Sequence, residues 1–192
     1  PPEYVQLDWL TNTTTASINT GITRTGSGTS AELISMSTDI IWRGFNNTSQ
    51  SPQISNTVMG CTNNYWGVSS DGYWVNANVT SPDKVPVIGK RYSVVMDRSA
   101  YNLQTLTISD GESEDILLTS TRTLSSGTNT VYLYNIGTSA RYACRCSLGR
   151  TKIYKNGTLV RDFVPCADID DNFGMYDVVG NHFYTSSNSE QF

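Results

Sequence analysis

The chain has 192 residues, 16% of them charged, and a formal net charge of -4. That length suits one domain over residues 1–192, able to bury about 70% of its unfolded surface without help from disulfides or a metal. The negative balance and the lack of any Lys/Arg cluster exclude a nucleic-acid partner, which requires a basic stripe to displace counterions.

No run approaches the ~18 apolar residues of a membrane span, so no membrane insertion is expected. The opening PPEYVQLDWL has neither the charged nor the apolar region of a signal peptide, which predicts a soluble chain, compatible with a fragment of something longer. Ser, Thr, Asn, Gly and Tyr abound, and the Ala, Glu, Lys and Leu runs of long helices are missing. Short strands joined by polar turns are expected.

Taken in order, residues 3–10 alternate and put Val5, Leu7 and Trp9 on one apolar face. Residues 11–17 read as a loop and 17–22 as a short strand. Residues 31–45 carry period-two patterning, a strand or a strand bent near 37–39, and the polar run 46–57 reads as a long loop. Residues 58–79 form a hairpin turning at Asp71-Gly72. Ser70 then opposes Tyr73, Val68 opposes Val75 and Trp66 opposes Ala77. One face is apolar, with Trp66, Val68, Tyr73, Val75 and Ala77; the other carries Tyr65, Ser69, Trp74, Asn76 and Asn78.

Turns near residues 81–83 and at Gly89 lead to a strand at 92–97, a loop at 98–102, and a strand at 103–109 that pairs through Asp110-Gly111. Residues 116–124 and 130–136 are further strands. Residues 151–184 hold two hairpins. Asn156-Gly157 suits a type I′ turn, with Tyr154 facing Leu159 and Ile153 facing Val160. Gly180-Asn181 sets Val178 against Phe183 and Asp177 against Tyr184. About twelve strands at this spacing predict an all-β sandwich or barrel.

Two blocks carry a family resemblance: YVQLDWL with INTGI, and KIYKNGTLVRDFVPC with GMYDVVGNHFY and the final Phe192; GKRYSVVMD and LTISDG fit more loosely. On these the chain resembles the concanavalin A-like, laminin G-like jelly-roll domains of bacteriophage tail proteins and gut-bacterial surface proteins. The resemblance implies a sandwich of two antiparallel sheets and a virion or extracellular, cell-surface location. It implies no reaction, because this fold hosts lectins, glycanases and structural modules alike.

Catalytic constellations are poorly supported. The five glutamates are scattered, Glu112 and Glu114 sit in a polar turn, and His182 stands alone beside a hairpin turn. Cys61, Cys144, Cys146 and Cys166 contain no CxxC pair and read as free buried thiols, with a Cys146–Cys166 disulfide, which would require a bulge, as the alternative. Asp168, Asp170 and Asn172 place oxygen ligands at alternate positions, as at the start of a calcium loop, but the glycine falls one place late and Val179 stands where a bidentate Glu belongs. No cofactor is otherwise expected.

The stronger candidate is the polar face of the 58–79 hairpin. Trp74 and Tyr65 offer rings for the C–H faces of sugars, and Asn76 and Asn78 offer amides for their hydroxyls. The expected function is a non-enzymatic recognition or adhesion module for a cell-surface glycan or other polymer. A structural virion module contacting protein subunits is the alternative, and a polysaccharide-cleaving enzyme a lesser one.

Overall fold

The computed structural model describes residues 3–44, 56–81, 86–137 and 142–192. Strands dominate, and the helical element among the described residues is a 3-10 turn at Gly28–Ser30. Two antiparallel sheets form a sandwich. The larger runs β11 (Ile116–Ser120), β10 (Leu103–Ser109), β9 (Arg91–Ala100), β4 (Ile34–Gly44), β13 (Arg145–Lys155), β14 (Thr158–Asp168), β15 (Phe173–Asp177) and β16 (His182–Tyr184). Two short strands complete its ten: β1 (Tyr4–Gln6) on β14 and β2 (Leu10–Asn12) on β13. The smaller sheet, of six strands, runs β3 (Ile18–Arg24), β12 (Asn129–Leu133), β5 (Asn56–Cys61), β6 (Asn64–Val68), β7 (Trp74–Asn76) and β8 (Val79–Thr80).

Alternation builds the core. Every second residue of β4 is buried, so Ile34, Met36, Ile40 and Trp42 turn inward without the predicted bend near residue 38. Tyr92, Val94 and Met96 of β9 and Leu106 and Ile108 of β10 extend that layer, and Met59, Trp66, Val68 and Trp74 of the smaller sheet meet it. The predicted loop at 46–57 lies mostly outside the described residues, as does most of the predicted turn at 81–83; Asn56 and Thr57 already belong to β5.

The N-terminal segment departs from its predicted single strand. β13 and β14 pair with each other only near their shared turn, and beyond it they splay. β2 fills the gap against Cys146, Ser147 and Leu148, and β1 fills it against Cys166, Ala167 and Asp168. The change of direction between β1 and β2 breaks the period-two pattern. Val5 is left 65% exposed, Leu7 and Trp9 are half-buried, and Leu10 becomes the core residue. Tyr4 packs instead on Tyr176 and Phe183, with ring centroids 5.1 and 4.9 Å away.

The two C-terminal hairpins form as predicted in outline. Asn156 and Gly157 adopt φ of 51° and 77°, and Tyr154 pairs with Leu159; a bulge then sets Ile153 against Arg161 in place of Val160. At the second hairpin Asp177 pairs with His182 and Tyr176 with Phe183, two residues from the predicted register. Asp177 causes the longer turn. Its buried carboxylate accepts the N–H groups of Val179 (3.1 Å) and Gly180 (2.8 Å) and so caps the loop. All four cysteines are free and buried.

Candidate ligand-binding face

The register of β6 and β7 decides what the predicted sugar face can offer. The Ser69 N–H donates to Tyr73 O (2.8 Å) and the Gly72 N–H to Ser69 O (3.0 Å), closing a turn longer than Asp71-Gly72 alone. Val68 consequently pairs with Trp74 and Trp66 with Asn76, one residue off the predicted register. A slip of one turns a whole strand over.

Trp74 therefore points inward, fully buried, with its ring edge-on to Tyr92 at 5.2 Å. Asn76 is also buried, and its amide donates to Gln104 O (3.1 Å) and Leu118 O (2.7 Å), tying β7 to the opposite sheet. Tyr65 is buried with its hydroxyl donating to Ala77 O. Asn78 is exposed, but its Oδ1 accepts a 2.6 Å bond from Ser120 Oγ. Trp74, Tyr65, Asn76 and Asn78 thus share no open face, and the predicted site is corrected: three of the four are interior structure.

The acidic loop between β14 and β15 is organised by its own amides. Asp168 Oδ1 accepts the N–H groups of Asp170 (2.9 Å) and Asn172 (2.9 Å), and its Oδ2 accepts Asn172 Nδ2 (2.9 Å). The Asn172 side chain, followed by these backbone donors, holds the Asp168 carboxyl below the ordinary carboxylate range. Asp171 takes φ of 57° to close the turn, with its N–H on Asp168 O at 3.2 Å. The oxygens that Asp168, Asp170 and Asn172 would direct to calcium are in part spent on this turn. No cluster of three or more His, Cys, Asp or Glu suited to a metal occurs among the described residues.

The sandwich presents two unlike outer faces. Every residue of β5, β6 and β7 is buried, so the centre of the smaller sheet is covered on both sides. The larger sheet is open over the second half of β13 and over β4, β9, β10 and β11, where the residues between core positions are half-buried or exposed. Pairing aligns these residues into rows. One row reads Tyr154, Ser35, Asp97, Thr105, Thr119, and the next Lys152, Ser37, Val95, Thr107, Leu117.

A shallow depression lies where Ser35, Ser37, Val95, Asp97, Tyr154 and Gly157 meet. Ser35 Oγ donates to Asp97 Oδ1 at 2.9 Å, and Asp97 is exposed. Behind it, Asp39 is paired with Arg91 at 2.7 Å. Ser37, Thr105, Thr107, Thr119 and the Tyr154 hydroxyl make no side-chain hydrogen bond within the described structure. They are donors and acceptors available to a ligand. Val95 and Leu117, 46% and 63% exposed, put apolar surface between them.

The sequence reading missed these residues because it followed the apolar half of each alternation. SMSTD, YSVVMD and LQTLTIS contain the other half, and strand order alone makes it one surface. A comparison with protein-family models, curated proteins and solved structures found no match for this chain.

Proposed function

We propose that this chain is a non-enzymatic recognition module that binds a glycan or another polyhydroxylated surface polymer across the open face of the ten-stranded sheet. The observation that supports it is the pair of rows, where unpartnered hydroxyls, the Asp97 carboxylate and the Tyr154 ring stand side by side. Neighbouring strands lie about 4.8 Å apart, so an extended polymer crossing them meets a polar group at each strand. Sugars need this mixture: hydroxyl and carboxylate partners for their O–H groups, and apolar or aromatic surface for their C–H faces. The two-sheet antiparallel sandwich is compatible with a jelly roll; the phage or bacterial surface context rests on the sequence resemblance alone.

A glycan-array screen of the wild-type chain beside Tyr154→Ala and Asp97→Ala tests this reading. The expected outcome is a bound glycan class lost in both variants, with unfolding free energy moved by only about 0.5 kcal/mol, as for open surface positions. An array blank for the wild type, or binding untouched by both substitutions, refutes it.

The exposed Val95 and Leu117 favour the second reading, a structural module whose same face meets protein subunits. In that case Leu117→Ser weakens an association seen by sedimentation and the array stays blank.

A further inference from the structure

Cys144 and Cys146 place two reactive groups side by side in the interior. Both are fully buried. Cys146 is the second residue of β13, and Cys144 lies just before that strand begins. In a regular strand, same-face residues two apart are separated by about 6.7 Å. The Sγ atoms of this pair are 3.1 Å apart. The chain leaves the pleat at Cys144, and the two side chains converge. Among the described residues no other two sulfurs are in contact.

The backbone around the pair is held on several sides. The Cys144 N–H donates to Tyr134 O (3.1 Å), and Cys144 O accepts the Asn12 amide (3.0 Å), which also donates to Ala16 O (2.9 Å). Cys146 pairs with Asn12 of β2 and with Trp42 of β4. Tyr134 is itself tied to Leu10 O through its hydroxyl (2.6 Å). In an interior packed this closely, the side chains have little room to rotate apart.

We propose that Cys144 and Cys146 form a redox-active modification site, a dithiol that a hydroperoxide oxidises to an intrachain disulfide. The peroxide transfers one oxygen to the first sulfur as its O–O bond breaks, leaving a sulfenic acid and a water or alcohol. The second sulfur displaces hydroxide from that sulfenic acid, so the S–S bond forms and the hydroxide leaves as water with the second thiol proton. In total, two thiols and one hydroperoxide give one disulfide, one water and one further water or alcohol. The sulfurs lose two electrons and the peroxide gains them.

Burial, and then Cys144, raise the Cys146 thiol well above its ordinary pKa. Oxidation is therefore slow in the closed fold and runs through local opening or during folding. The same burial then shields the bond from reductants. It locks the entry into β13, where β2 and the segment after β12 also meet. Cys61 and Cys166, which have no sulfur neighbour, stay reduced.

Alkylation and mass spectrometry of the whole chain test the site. The reduced chain meets hydrogen peroxide in two arms, one folded and one refolding from urea, and is then denatured and alkylated. The expected result is four alkyl groups without peroxide, one per cysteine, and two after it. Residues 142–150 then carry none, and Cys61 and Cys166 carry one each. Added reductant restores all four. Cys144→Ser and Cys146→Ser each keep three labels through the treatment, whereas Cys61→Ser falls from three to one. Should the serine variants fail to fold, the wild-type peptide map decides by itself. Loss of label at residues 142–150 in the refolding arm alone also supports the site, with closure of the fold as the step that shuts peroxide out. Four labels in both arms overturn the proposal, as does a loss at Cys61 or Cys166, or a sulfinic product at Cys144 or Cys146 that reductant does not reverse.

Discussion

Trp74 shows how one side chain changes meaning with its surroundings. As a sugar platform it would be dispensable to the fold; as the fully buried neighbour of Trp66 and Tyr92 it is core. Trp74→Ala is expected to cost about 3–5 kcal/mol in urea unfolding, the range for emptying an aromatic core position. A loss near zero would return Trp74 to the surface. Asp168 and Asp110 carry a pH prediction. Asn172 first, and Lys90 first, lower their respective pKa values from the ordinary 3.8. Since the folded values lie below the unfolded ones, the stability they add is complete above about pH 4 and is lost as pH falls through the folded values. Urea midpoints followed from pH 6 to pH 2 are expected to fall below about pH 4, and less steeply in Asp168→Asn; parallel profiles would show that Asp168 takes no part.

Among the elements, turns decide which residues face out. At the second C-terminal hairpin the register moves by two, so Tyr176 and Phe183 change partners but keep their faces. At the β6–β7 hairpin it moves by one, and the face inverts. The sequence showed both turns and could not distinguish the two cases, because Asp-Gly and Gly-Asn each fit tight and longer turns. Backbone contact between β5 and β6 adds a separate constraint. A Cβ on Gly67 would collide with the main chain of Asn56 and Thr57, atoms that cannot swing aside. Gly67→Ala is expected to cost about 1–3 kcal/mol by overpacking, whereas Gly137→Ala, with open space around it, serves as the near-neutral control. Equal urea midpoints for the two variants would contradict the close approach.

For the whole molecule, the two outer faces differ. The smaller sheet is covered at its centre, and the larger one carries half-buried and exposed hydroxyls, which is why the proposal of polymer binding is made for the larger sheet. The sequence by itself determined that the chain is all-β, where most strands run, and that Asn156-Gly157 makes a tight turn, because alternation and turn chemistry are local properties. Whether a disulfide forms was left to the structure, in which all four cysteines are free and buried. Only the tertiary structure decided that β1 and β2 wedge between β13 and β14, that Trp74 faces inward, and that Ser35, Asp97 and Thr105 share a row. The same holds for the burial of Arg24 and Arg98, which come from separate sheets. These facts depend on strand order and register, which join residues far apart in the chain and leave no mark in the local pattern of either partner.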